Sequence, residues 1–291
     1  MKKVFRYVGW TLAVMLATGL LFYAYIAYEI HSTANRVHTF SPHTIEVSSD
    51  SSSLLKGAHL VVVRGCTECH GNDFSGKLMN DDFAIGTLPA SNLTTGKGGL
   101  SSDYSVEDWV MALRHGIHKN GKPLLIMPSQ ESAPMSDEDI ADIVAYARSL
   151  PSVDHVLPGM KIGPLAKVLG YFEKIPLFPV ALIDHSATPL TNADTSSIIA
   201  QGKYLAVSCQ SCHRSDMHGG EPLAPGQPAV PDITSAGAAG KWPEQTFVTA
   251  LRTGVTPTGR QMRNEDMPWK MTSNYTDQEL KALYEYLKSI K

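Results

Sequence analysis

All four cysteines of the 291-residue chain fall in two copies of one pattern: Cys66-Thr67-Glu68-Cys69-His70 and Cys209-Gln210-Ser211-Cys212-His213 both read C-x-x-C-H. Two thiols at this spacing can form thioether bonds to the two vinyl groups of one porphyrin. The adjacent histidine then stands under the iron, which is the attachment chemistry of c-type haem. A zinc site shared by the two pairs would want them about 15–20 residues apart, whereas Cys69 and Cys209 are 140 apart. Neither zinc nor a thioredoxin-like dithiol explains the histidine after each pair. The motifs therefore imply two covalently bound haem c groups on Cys66, Cys69, Cys209 and Cys212, with His70 and His213 as iron ligands.

The opposite face of each iron needs its own ligand, and the chain offers 11 methionines and 11 histidines. Met127-Pro128 stands nine residues before Ser136, and Met267-Pro268 stands nine before Thr276. Neither Met135 nor Met262 keeps such a register, and Met111 sits in an apolar helical stretch that suits a core. Met127 and Met267 are thus the expected axial ligands; a thioether favours reduced iron, raises the potential and suits electron transfer. His115 and His118 precede Met127 without counterparts in the second copy, and read as polar or capping residues. His59 falls on a helix, while His31, His38, His43, His155, His185 and His218 read as surface or linker residues. Arg114 and Arg252 occupy equivalent positions. They suit either a forked contact with a haem propionate or a solvated helix end. Asn92 and Thr94, matched by Asp232 and Thr234, are candidates for polar contacts at a haem edge.

The elements that position these residues also repeat. Gly57-Ala-His-Leu60 matches Gly202-Lys-Tyr-Leu205, and ALRHGIHKNG (112–121) matches ALRTGVTPTG (250–259). SDEDIADIVAYARSL (136–150) matches TDQELKALYEYLKSI (276–290). Ser136 and Thr276 are natural helix caps, with Asp139 and Glu279 three positions on. Ile140, Ile143, Val144 and Ala147 share one face of the first helix; Leu280, Leu283, Tyr284 and Leu287 share one face of the second. Each unit is a helix leading into the haem motif, a looped middle with a short helix, and a final amphipathic helix. A bound porphyrin adds apolar surface, so a modest core suffices for about 100 residues.

Tyr7 to Tyr28 are 22 positions without a charge, a helix of about 33 Å against a hydrocarbon core of about 30 Å. Lys2, Lys3 and Arg6 precede it and place the N-terminus in the cytoplasm. The rival is a cleaved signal peptide, but the apolar run exceeds the usual core and lacks a clear small-x-small site. The division is then 1–30 cytoplasmic start and transmembrane anchor, 31–53 polar tether, 54–152 first haem domain, 153–194 Pro-rich segment and 195–291 second haem domain. Prolines 151, 158, 164, 176, 179 and 189 exclude a long helix in the connecting segment. Its apolar stretches suit packing against the haem domains or, more sharply, a shallow contact with the membrane surface. Setting Lys2, Lys3 and Arg6 aside leaves 22 basic residues against 28 acidic, so no basic excess points to nucleic acid.

In these motifs the chain resembles tandem class I c-type cytochromes. It is most similar to membrane-anchored dihaem cytochromes and to the cytochrome subunits of bacterial membrane-bound alcohol and sugar dehydrogenases. The resemblance covers roughly 54–152 and 195–291. It implies a mainly α fold, with the transmembrane helix followed by two cytochrome c-like domains. It also implies that Tyr146 and Tyr286 pack against the first helix of each unit at Gly57 and Gly202. The alcohol dehydrogenase subunits typically carry three haem domains, and here there are two plus an anchor. The expected function is single-electron transfer between redox partners, such as a membrane-bound respiratory complex or a dehydrogenase. The setting is the periplasmic side of a bacterial inner membrane. The leading alternative is a dihaem peroxidase, which needs an open sixth position that the twin Met-Pro pairs argue against. A third reading is an assembly subunit whose haems are incidental. An axial cysteine is excluded, because all four cysteines belong to the attachment motifs.

Overall fold

The computed structural model describes residues 2–41, 43–223 and 227–291. Helix α1 (Lys2–Ala34) is continuous and exposed along most of its length, as an apolar helix without a protein partner must be. Only its C-terminal turns are covered, where Ile26 and Ile30 pack with Leu177. Residues 36–41 and 43–47 have no regular secondary structure and lie against the first unit. His38 N donates to the Gly121 carbonyl, His43 pairs with Asp137 at 2.8 Å, and Ile45 is buried in the first core. The stretch read as a tether is thus strapped to the domain over much of its length.

The first unit begins with α2 (Ser51–Val63), capped by Asp50, and the motif helix α3 (Cys66–His70). Strands β1 (Lys77–Asp82) and β2 (Gly86–Ala90) follow as an antiparallel hairpin, which the helical repeat did not foretell. Then come α4 (Val106–His115), closed by a Ser105–Asp108 capping box, the short α5 (Ser129–Ser132) and α6 (Asp137–Ser149), capped by Ser136. The connecting segment adds β3 (Lys161–Ile162) to the hairpin edge and α7 (Pro164–Tyr171), with proline at its first position, where no amide hydrogen is needed. The second unit repeats the helices: α8 (Ile198–Leu205), the motif helix α9 (Gln210–His213), α10 (Glu244–Thr253), α11 (Trp269–Thr272) and α12 (Asp277–Ser289).

In each unit the first and last long helices cross at a glycine. A Cβ on Gly57 would lie 2.1 Å from the Asp142 carbonyl oxygen and 2.8 Å from Tyr146 Cβ; one on Gly202 would lie 2.0 Å from the Ala282 oxygen and 2.6 Å from Tyr286 Cβ. The two tyrosines therefore stand where the family resemblance put them. The connecting segment packs as well. The 3-10 turn Pro179–Leu182 lies beside α5 and α7 lies on α1, while Asp137 N and Glu138 N donate to the carbonyls of Leu190 and Thr191.

The two units are pressed together. Val63, at the end of α2, is wholly buried in the core of the second unit, and its carbonyl accepts the buried Tyr275 hydroxyl at 3.1 Å. Tyr204 of α8 donates its hydroxyl to Asp139 at 2.6 Å and accepts from Ser136 N at 2.9 Å. His59 meets Glu279 at 2.9 Å.

Candidate functional site

The site is assembled twice by the same local devices. After each C-x-x-C-H the chain turns back through a left-handed residue, Phe74 (φ 57°) or Met217 (φ 64°). Both side chains are buried, in the first and second cores, and that packing offsets the backbone cost of positive φ. Met217 is therefore core filling at the position Phe74 holds in the first unit. The carbonyls of Phe74 and Met217 accept from Leu93 N and Ile233 N, which brings residues 91 and 231 beneath the motif histidines.

There His70 Nδ1 donates to the Ser91 carbonyl at 2.8 Å and His213 Nδ1 donates to the Pro231 carbonyl at 2.9 Å. A carbonyl can only accept, so each imidazole carries its proton on Nδ1 and presents Nε2 as the lone-pair nitrogen. Burial lowers the pKa of both histidines, keeping the rings neutral as a metal ligand requires. Asn92 and Asp232 follow the accepting carbonyls and hold that turn. Asn92 Oδ1 accepts from Thr94 N and Oγ1, and Asp232 Oδ1 accepts from Thr234 N and Oγ1. Their hydrogen bonds thus brace the loop that orients each histidine.

Met127 and Met267 are also held alike. Pro128 and Pro268 share a backbone conformation (φ −77°, ψ 59° and φ −74°, ψ 62°), and the amide two residues after each methionine returns to the methionine carbonyl at 2.7 Å. Ser132 Oγ donates to the Leu113 carbonyl at 2.6 Å and Thr272 Oγ1 to the Leu251 carbonyl at 2.9 Å, pinning each Met-Pro turn to the short helix before it. Both methionines are half-buried.

The thiols of all four cysteines are free. Burial pushes the Cys66 thiol up to about 11 and that of Cys209 up to about 12, and raises Cys69 and Cys212 as well. Burial thus keeps all four as neutral thiols. Among the described residues no group of three His, Cys, Asp or Glu converges as a metal site would require.

Arg114 is buried (4 % exposed). It donates from Nη1 to the Ala133 and Met135 carbonyls and from Nη2 to Asp137. Arg252 repeats this with the Ser273 carbonyl and Asp277. Both forks thus clasp the start of the final helix, leaving Arg114 Nε as a buried donor without a partner among the described residues. His115 is not solitary: its Nδ1 lies 2.9 Å from His185 Nδ1, and Phe40 stacks on both rings at 4.4 and 4.1 Å. Burial, reinforced by the charges of His185 and Arg114, lowers His115 to about 4. This cluster straps the segment after α1 to the first unit.

Arg64 and Glu131 escape a reading by motif. Arg64, two residues before Cys66, donates Nη1 to Ser208 Oγ at 3.3 Å and to the Tyr204 carbonyl at 3.4 Å. Its Nε and Nη2 are buried without partners among the described residues, a costly state for a cation unless another group completes it. Burial pushes the Glu131 carboxyl up to about 7, against the pull of Arg64. Glu131 acts electrostatically on Cys66, Cys209 and Cys212. The two residues therefore lie near both attachment motifs. A signal was present: the repeat sets Val207 where the first unit has Arg64.

These residues fit a covalently held haem. Each motif offers two thiols and a preset imidazole, and the orphaned donors of Arg64 and Arg114 suit the carboxylates that a haem carries.

A family model described as cytochrome c matches residues 54–151 and 199–291. The fructose dehydrogenase cytochrome subunit of Gluconobacter japonicus is 26 % identical over 277 residues, covering 84 % of this chain and 54 % of the relative. The cytochrome c subunit of the alcohol dehydrogenase (quinone) of Gluconobacter oxydans is 25 % identical over 268 residues, covering 83 % and 55 %. The gluconate 2-dehydrogenase cytochrome c subunit of Pantoea cypripedii is 31 % identical over 175 residues, covering 54 % and 37 %. The chain spans about half the length of the first two relatives.

Proposed function

Because this chain belongs to the cytochrome c family, we propose that it is a dihaem electron carrier that α1 tethers to the membrane, relaying single electrons from a dehydrogenase to a further acceptor. The family implies covalently bound haem c, which supplies a one-electron ferric–ferrous couple when bound. The observation that carries the count of two is the doubled device described above. His70 on the Ser91 carbonyl and His213 on the Pro231 carbonyl are each matched by a Met-Pro turn of one geometry.

In this reading Cys66 and Cys69 hold one haem, and Cys209 and Cys212 the other. His70 with Met127, and His213 with Met267, ligate the irons. Arg64 offers its orphaned Nε and Nη2 to a propionate, with Arg114 Nε as a second donor; Arg252 remains a candidate on the strength of the repeat. Each half holds its motif histidine against a fixed carbonyl, which limits reorganisation when the iron changes charge. The relatives named above are cytochrome subunits of fructose, alcohol and gluconate dehydrogenases. That supports a dehydrogenase partner on the exported side of a bacterial inner membrane. They lend no support to a peroxidase.

A potentiometric titration followed through visible and near-infrared absorption tests this. Two high-potential one-electron waves are expected, with methionine–iron charge-transfer absorption for both haems. One very low wave with a single methionine-ligated haem would overturn it.

A further inference from the structure

The aromatic C-terminal end of α7 packs on α1 within the charge-free run. Tyr171 packs edge-on against Phe22 and Tyr25 of α1, with ring centroids at 6.3 and 6.1 Å, and Phe172 lies 6.5 Å from Phe22. Phe22 is well inside the charge-free run. It precedes Tyr28 by six residues, about 9 Å along a helix rising 1.5 Å per residue. If the bilayer core were filled from Tyr7 with only the ~20 residues it needs, Phe22 would still lie about 6 Å inside it. Whatever touches Phe22 shares that depth.

A second element is joined to the other end of α7. The amides of Leu165 and Ala166 both donate to the Ala84 carbonyl, at 2.9 and 3.3 Å, and a Cβ on Gly163 would lie 2.4 Å from that oxygen. The tip of the β1–β2 hairpin is thereby locked to the start of α7. That tip carries Phe83, 88 % exposed, and α7 and its C-terminal end carry Leu165 at 47 % and Phe172 at 51 %. Exposed large apolar groups mark interaction surfaces, and Phe172 joins these to the exposed Phe22 of α1.

We propose that α7 and the β1–β2 tip lie in the outer membrane interface, with Phe83, Leu165 and Phe172 inserted at the boundary between headgroups and acyl chains. The inference rests on the reading of α1 as a membrane anchor. The depth set by Phe22 matches the roughly 5–10 Å to which interfacial helices bury their apolar faces. Charge does not select the lipid: Lys161, Lys167 and Lys174 are offset by Asp81, Asp82 and Glu173. The contact adds a second point of attachment that fixes the tilt of the haem-bearing units over the bilayer.

The haem-loaded full chain is reconstituted into vesicles of phosphatidylcholine, alone or with phosphatidylglycerol, containing a lipid with a photoreactive acyl chain. Labelled peptides are mapped after irradiation. Labelling is expected on Tyr7–Tyr28 and also on the peptides bearing Phe83 and residues 164–172, equally in both vesicle types. The double change Phe83→Ser and Phe172→Ser lowers labelling of α7 severalfold while α1 labelling and the haem absorption per chain stay constant. Labelling of α1 with none on α7 or the hairpin tip overturns the inference and leaves the anchor standing. No labelling of α1 overturns the anchor reading and the inference with it. Labelling that requires phosphatidylglycerol, or a crosslink joining two copies through α7, overturns it as well.

Discussion

Arg64 of the first unit lays its guanidinium over the Tyr204 ring of the second, 4.9 Å from the ring centroid, while its Nη1 donates to the Tyr204 carbonyl. One residue thus joins the two units by stacking and by hydrogen bonding, and it does so near both attachment motifs. A cation there favours the state with less positive charge, which is reduced iron. Arg64→Met should lower the midpoint potentials of both haems by an energy on the order of 1 kcal/mol, roughly 40 mV for a one-electron couple. Potentiometric titration of the variant checks this, and unchanged waves would show that the guanidinium serves only the packing of the seam.

Met127→Ala should keep the covalent haem content while lowering the potential of the first haem and removing its methionine–iron absorption. Met267→Ala should do the same for the second. Replacing Cys209 and Cys212 by Ala should halve covalent haem per chain, measured from the pyridine-adduct spectrum. Unaltered content would refute two attached haems.

Crossing glycines bear the closest helix contacts in each unit. Gly57→Ala and Gly202→Ala each force a methyl within about 2 Å of a backbone oxygen. The cost should be about 1–3 kcal/mol or more, as overpacking usually demands. Gly159→Ala, which meets nothing within 4 Å, should be neutral. Thermal unfolding of the three variants separates them.

The seam has a pH dependence of known sign. The hydrogen bond to Glu279 raises His59 above its usual pKa, and Glu279 is held low by His59 and its own cap despite burial. The histidine's contribution is complete below the ordinary imidazole pKa and is lost as pH rises through its raised value. The carboxylate's contribution is present above the ordinary Glu pKa and is lost as pH falls through its depressed value. The pair therefore contributes most between about pH 5 and 6. Its worth is on the order of 1 kcal/mol, because both side chains are partly open to water. His59→Gln should flatten the change of melting temperature between pH 6 and 8. A slope equal to that of the native chain would assign the pH dependence elsewhere.

The chemistry of this protein was legible in its residues because covalent attachment demands a local signature. Cys66-x-x-Cys69-His70 and its copy need nothing distant to be recognised, and the repeat ordered the helices and picked out the Met-Pro pairs by register alone. Capping residues such as Ser136 and Thr276 likewise act within one turn. What bridges distant chain segments was not legible. Ser91 and Pro231 reach the histidines only after the loop has folded back through Phe74 and Met217. The hairpin at 77–90 lacks a helical period, and its β2 edge is paired by β3 from more than 70 residues away. Arg114 and Arg252 clasp the last helix because Asp137 and Asp277 come to face them across the unit. Above all, Arg64, Tyr204, Glu131 and Tyr275 carry no motif. Their roles arise because Val63 is buried in the core of the second unit, an outcome decided by the packing of two surfaces and not by either segment's own preference.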